Sequence, residues 1–252
     1  MSLDTINIIA IVWAIVAIVL LPIQLKITAP YGRHSKKGWG PMIPNKLGWL
    51  LMESPSMLIM GYFLILTITQ KGNIYSIFLM SLWVLHYVNR SVIFPLRTRT
   101  DGKQMPVSIA FSAIFFNLVN APVNGYYFLH FAQYPHLYCL SWNFLAGFFL
   151  FFLGVYINNK SDTMLIHLRQ PGQTGYVIPK GFLFDKISCP NLFGEMIEWL
   201  GFALMAWHLP ALSFFVWTVC NLLPRAVSHH KWYLDKFPDY PKERKAVLPG
   251  LV

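Results

Sequence analysis

Charge is scarce in this chain: 12% of its 252 residues are Asp, Glu, Lys or Arg, against about a quarter in ordinary soluble domains. With 56% hydrophobic residues and a mean hydropathy of +0.49, that scarcity excludes a freely soluble enzyme and points to an integral membrane protein. No stretch is long and polar enough to fold as a separate soluble domain. Acidic residues number 10 against 20 Lys and Arg, for a net charge of +10. The basic residues are scattered through short loops and not along one amphipathic face, so nucleic acid is not an expected partner. Cys139, Cys189 and Cys220 lack CxxC spacing and do not cluster with His, which excludes a zinc site and a disulfide framework; no metal is expected. Neither GxGxxG nor GxxxxGK occurs, so any dinucleotide must be held by the helices themselves. No internal repeat of the kind that builds inverted-repeat transporters is visible.

What the chain does have is a series of apolar runs of membrane-crossing length. Residues 7–25 are apolar over about the 20 residues a span requires. The lead-in MSLDT has no basic region and no small-residue cleavage site follows, so this run reads as a retained helix and not a signal peptide. Further spans are expected over 47–69, 74–96, 107–131 and 141–157, followed by a long polar loop over 158–190. The final apolar run is broken at His208-Leu209-Pro210, which predicts two helices, 191–207 and 211–230, joined by a tight turn. The expected fold is therefore an all-α bundle of seven transmembrane helices forming one domain over 1–252. Alternating the loops puts every Lys and Arg except Lys71 on the side of the carboxy terminus or at its membrane face. By the positive-inside rule the amino terminus lies outside and the carboxy terminus in the cytoplasm.

Ionisable groups inside such spans are costly and mark candidate sites. Glu53, in WLLMESPS, sits about two turns into the second span. Apolar burial raises a carboxyl pKa, and a protonated carboxyl there can donate a hydrogen bond to a ligand carbonyl; a polar tie between helices is the plain alternative. In HYVNR on the third span, Tyr87 and Arg90 fall on nearly one face. A tyrosine hydroxyl beside a carboxyl can stabilise charge that develops on a carbonyl oxygen, and Arg90 equally suits snorkelling to the headgroups. Glu195 and Glu198 share a helix face, with Arg225, His229 and His230 on the following helix as expected partners; a structural salt-bridge network is as good a reading. Asn158 and Asp162 are one helical turn apart, and PGQTGY follows Arg169, a combination suited to phosphates and amides near helix ends.

GVYINNKSD, LRQPG, GYVIPKGFLF, NLFGEMIEWLGFAL and RAVSHHKWYLDKFPDYPKERKAVLP resemble, in order and spacing, the carboxy-terminal half of the steroid 5-alpha-reductases. YGRH at 31–34, the segment around Glu53 and HYVNR resemble the amino-terminal signatures of that family. The resemblance covers nearly the whole chain and implies a seven-helix reductase. Such an enzyme takes NADPH from the cytoplasm and saturates the 4,5 double bond of a 3-oxo-4-ene steroid by hydride transfer to carbon 5. It also implies that Glu53 and Tyr87 hold the 3-oxo group. The cofactor residues it implies are Asn158, Asp162, Arg169, Tyr176, Asn191, Glu195, Arg225, His229 and Tyr233, with Tyr31, Trp49, Arg90 and Arg99 as further candidates. The chain departs from the family pattern at Met52, where several relatives carry Gln, and at Ser228, where vertebrate forms often carry a first histidine. Besides the steroid, membrane lipids are the expected partners, and the protein is expected to be a monomer. The bacterial inner membrane is the expected location, or the endoplasmic reticulum for a eukaryotic source. Other readings are a reductase of a different lipid enone or enoyl group, an isoprenylcysteine-type methyltransferase and a non-catalytic lipid-binding protein.

Overall fold

The computed structural model describes residues 1–30, 32–36, 38–100, 102–168 and 175–250. Among the described residues the architecture is helical. The helices are α1 (Leu3–Lys26), α2 (Asn45–Thr69), α3 (Ile74–Val88), α4 (Phe94–Arg97), α5 (Val107–His130), α6 (Trp142–His167), α7 (Pro190–Ala206) and α8 (Leu209–Lys236). A π-helical turn, Asn89–Ile93, makes α3 and α4 one continuous rod. Short strands β1 (Met42–Pro44) and β2 (Gln104–Pro106) pair antiparallel, with Met42 opposite Pro106. Six of these helical segments are long and apolar enough to cross a membrane: α1, α2, Ile74–Arg97, α5, α6 and α8.

Local chemistry accounts for several ends. The Asn73 side chain accepts from the Tyr75 amide and starts α3, and Pro190 opens α7 at a position where no amide donor is needed. Pro22, Pro55, Pro122 and Pro224 lie inside helices, which membrane helices tolerate when neighbouring groups satisfy the freed carbonyls. Two boundaries depart from the sequence expectation. Helix α6 runs to His167, ten residues beyond the expected 157, so Asn158 and Asp162 lie in a helix and not in a loop. The extension is polar and gives no hydropathy signal, but its side chains bond within the helix: Asn159 Nδ2 to the Val155 carbonyl at 2.9 Å and His167 Nδ1 to the Thr163 carbonyl at 2.8 Å. Helix α8 likewise continues to Lys236 instead of ending near 230.

The chain forms two compact units. The first comprises Met1–Trp13, Ala29–Ser141 and His208–Ala211. In it α2 packs between α3 and α5, and the β1–β2 pair holds the starts of α2 and α5 together. Gly48 lets β2 approach α2, because a Cβ there would run into the Met105 thioether. Trp13 stacks on Phe116 at 6.0 Å.

At His208 the Nδ1 atom accepts from the Ala211 amide at 3.1 Å, and the ring stacks on Tyr127 at 4.1 Å. Burial lowers its pKa from 6.5 to about 3. A base whose folded pKa is depressed contributes stability above its unfolded pKa and loses it as the pH falls towards the folded value. Thermal unfolding in detergent should therefore show stability dropping below pH 6.5, on the order of 2 kcal/mol by pH 5. His208→Asn, which keeps an acceptor at the helix start, should flatten that dependence; an unchanged pH profile in the variant would refute the assignment.

The second unit comprises Ala14–Thr28, Trp142–Trp207 and Leu212–Val252, of which residues 169–174 and 251–252 are outside the description. Its centre is the α6–α7 pair. Gly147 and Gly154 on α6 face Gly201 and Gly194 on α7, and a Cβ at any of the four would strike backbone atoms of the facing helix. Small residues at seven-residue intervals on both helices bring the two backbones into contact, a packing mode favoured where lipid supplies no hydrophobic drive.

Candidate active site

In the first unit, α2 and α3 present one cluster. Trp83 Nε1 donates to Ser56 Oγ at 3.0 Å, one turn along α2 from Glu53. Tyr87, only 5% exposed, stacks on Trp83 at 5.8 Å and meets the His86 ring edge-on. Its carbonyl accepts from Ser91 Oγ at 2.6 Å, and the same hydroxyl lies 3.5 Å from Met57 Sδ. These bonds fix the Tyr87 turn against the α2 segment that carries Glu53, which is partly buried.

The π-helical turn then rotates Arg90 inward. Arg90 is 7% exposed, and its guanidinium lies 4.9 Å over the Trp49 ring and 4.8 Å over Phe94. Local π turns insert one residue per turn and recur where a side chain must be re-aimed. Trp49 and Glu53 are one turn apart on α2, so four of the expected residues, Trp49, Glu53, Tyr87 and Arg90, come from adjoining turns of α2 and the α3–α4 rod. Arg99 is exposed in the connection before β2. Tyr31 lies outside the described residues.

In the second unit a separate polar group forms on α6 and α7. Asn158 Nδ2 donates to the Asn191 carbonyl at 3.0 Å, and Asn191 Nδ2 donates to Asp162 Oδ1 at 3.0 Å. Asn158 and Asp162 are 3% and 5% exposed, and Glu195 follows Asn191 by one turn. On α8, Arg225, His229 and Tyr233 recur every four residues and share a face. Tyr233 stacks nearly parallel on Tyr240 at 5.0 Å, and Tyr176 packs edge-on against Trp232 at 4.7 Å. Arg169 lies outside the described residues. His/Cys/Asp/Glu groups able to hold a metal ion do not occur among the described residues.

Three residues that sequence reasoning missed organise the tail. Ser188 Oγ is 2.7 Å from both His230 Nδ1 and the Tyr240 hydroxyl. Arg244, 4% exposed, donates to the Pro179 carbonyl at 2.9 Å, lies 4.0 Å from the Asp185 carboxylate and sits over the Tyr240 ring at 5.2 Å. The Ser188 and Cys189 amides donate to the Lys245 and Ala246 carbonyls at 2.8 and 3.0 Å. The segment after Lys236 is thus tied down along the 179–189 loop, with Ala246 and Val247 in an apolar cluster beside Leu192 and Ala226. Its sequence signal is Tyr240 and the apolar run Ala246-Val247-Leu248 that follows the charged residues 242–245.

The profile of the 3-oxo-5-alpha-steroid 4-dehydrogenase family matches residues 103–252. A steroid 5-alpha-reductase of Gossypium hirsutum is 43% identical over 226 residues, covering 88% of this chain and 87% of that protein. A steroid 5-alpha-reductase of Arabidopsis thaliana is 41% identical over 232 residues, with the same coverage of 88% and 87%. The 3-oxo-5-alpha-steroid 4-dehydrogenase 1 of Mus musculus is 40% identical over 223 residues, again covering 88% and 87%.

Proposed function

This chain belongs to the 3-oxo-5-alpha-steroid 4-dehydrogenase family of oxidoreductases acting on carbon–carbon bonds, and from that premise we propose that it reduces the 4,5 double bond of 3-oxo-4-ene steroids with NADPH. The observation that best supports this reading is the Glu53–Tyr87 cluster, two potential donors on adjoining turns of α2 and α3 with Tyr87 almost wholly withdrawn from solvent.

Conjugate reduction of an enone pushes negative charge onto the carbonyl oxygen. A protonated Glu53 carboxyl and the Tyr87 hydroxyl donate to that oxygen and stabilise the charge as it forms, an effect that strengthens where water is excluded. The resulting enolate takes a proton from solvent water at carbon 4, releasing hydroxide to the medium and leaving the saturated ketone.

The reductant fits the chemistry of the second unit. The Asn158, Asp162 and Asn191 group offers buried amides and a carboxylate already oriented by their mutual bonds, suited to carboxamide and hydroxyl groups of a dinucleotide. Arg225 offers a cation and His229 an imidazole N–H for phosphate, Tyr176 and Tyr233 offer aromatic faces, and Glu195 adds an acceptor. When bound, NADPH supplies the hydride that carbon 5 of the enone accepts.

The whole chain, 1–252, acts in this reading as one monomeric reductase. Helix α7 serves as a seventh span, with the amino terminus outside and the carboxy terminus in the cytoplasm, as the distribution of Lys and Arg supports. The test is incubation of the purified protein in detergent with NADPH and testosterone or progesterone. Consumption of NADPH with a 5-alpha-reduced product is the expected result, with NADH serving markedly less well. No reduced steroid under these conditions would overturn the proposal.

A further inference from the structure

The face that α5 turns inward is unexpectedly polar. Its buried residues are Ala110, Asn117, Asn120, Ala121, Asn124, Gly125 and Phe128, so asparagines occupy the middle of the stripe. Asn117, Asn120 and Asn124 are 2%, 1% and 0% exposed. At spacings of three and four they line one side of a helix that is long and apolar enough to cross the membrane. Asparagine at such a depth is expensive, and as a tie between helices it finds partners for both ends of its amide.

Here the amides are only half used. Asn117 Nδ2 donates to the Met52 carbonyl at 2.8 Å, and Asn124 Nδ2 donates to the Asn120 carbonyl of its own helix at 3.0 Å. Asn117 Oδ1, Asn124 Oδ1 and Asn120 Nδ2 are buried and have no hydrogen-bond partner among the described residues. An unmatched buried polar atom is costly unless something fills it. The set is mixed, two acceptors and one donor, which suits an oxygen substituent: a hydroxyl can donate to Asn124 and accept from Asn120, and a keto oxygen can accept from Asn120.

Its position is as informative as its chemistry. Helices α2 and α5 run side by side in the same direction, since Asn117 touches Met52 and the Gly125 position abuts Phe63. Asn117 is therefore level with the Met52–Glu53 turn. Asn124 lies seven residues further, roughly 10 Å along the axis at 1.5 Å per residue. A fused four-ring steroid is close to that length.

We propose that the asparagine face of α5 is a specificity element for the oxygen substituent on the end of the substrate remote from its enone, with Asn120 and Asn124 making the contacts and Asn117 holding the register of α5 against the catalytic turn. This rests on the reductase reading above and deepens it. The substrate class it selects is enones that carry a hydroxyl or keto group on the far ring, over wholly apolar ones.

The experiment compares testosterone with its analogue lacking the ring-D hydroxyl. With the wild-type protein, kcat/KM should be about tenfold higher for testosterone, mostly through KM, as expected for one or two net hydrogen bonds. Asn124→Leu and Asn120→Leu should each lower kcat/KM for testosterone by a similar factor and bring the ratio between the two steroids close to one. Wild-type protein that reduces both steroids equally well overturns this inference alone, since the amides then serve only water or the protein. So does an undiminished preference in both variants. Wild-type protein that reduces neither steroid overturns the reductase reading and this inference with it. The wild-type comparison needs no variant to fold, so the outcome stands even if a leucine at either position prevents purification.

Discussion

Glu53→Gln and Tyr87→Phe are each expected to lower steroid turnover by about a hundredfold or more, the usual consequence of removing one donor that acts on developing oxyanion charge. Affinity for NADPH, measured by fluorescence or calorimetry on the purified protein, should stay within about twofold, because neither substitution alters the Asn158, Asp162 and Asn191 group or the Arg225, His229 and Tyr233 face assigned to the cofactor. Gln keeps the shape of Glu53 but replaces its hydroxyl donor with a far weaker amide donor, so the loss it causes reports the lost hydrogen bond and not a change of side-chain volume. Phe keeps the stacking of Tyr87 on Trp83 and removes only the hydroxyl. Near-normal turnover in both variants would sink the assignment. A parallel loss of cofactor binding would indicate a packing defect.

The second large effect concerns the α6–α7 interface. Gly154→Leu should abolish folded protein or lower the unfolding temperature sharply, because a side chain there meets the backbone of Glu198 and Gly194, which cannot rotate aside. Overpacking of ordinary cores costs about 1–3 kcal/mol and occasionally more; a clash with main chain belongs at or beyond the upper end. Separating the helices would also break the Asn158–Asn191 bond one turn away, so residual folded protein should bind NADPH weakly. Gly61→Leu on α2 is the control: a Cβ there meets nothing within 4 Å, and its unfolding temperature should match that of the wild type. Equal stability of the two variants would refute this account of the interface.

Hydropathy made the membrane spans readable because crossing the bilayer demands about 20 apolar residues in a row, and α1, α2 and α5 begin and end within a few residues of the expected limits. Glu53 and Tyr87 stood out for a related reason: a carboxyl and a phenol inside apolar runs are visible against their background. The extension of α6 was not readable, since its polar residues are held helical by local side-chain bonds and by docking of Asn191 on Asp162, neither of which leaves a periodic trace. The α5 asparagines are plain in the sequence, yet their unmatched amide ends emerge only once neighbouring groups are in place.

The sequence by itself determined the solvent this protein lives in, the rough extent of most of its apolar helices and the kinds of residues available for chemistry, because those follow from composition and local periodicity; of the seven spans it led one to expect, six are long and apolar enough to cross a membrane. Only the tertiary structure decided which side chains meet. Ser188 joins His230 and Tyr240 across 42 and 52 residues, Arg244 reaches Pro179, and the π turn sets Arg90 over Trp49. Such meetings depend on the rotation of each helix about its axis and on glycine contacts that set helix separation. Both are products of packing the whole unit at once and are not encoded in any single segment.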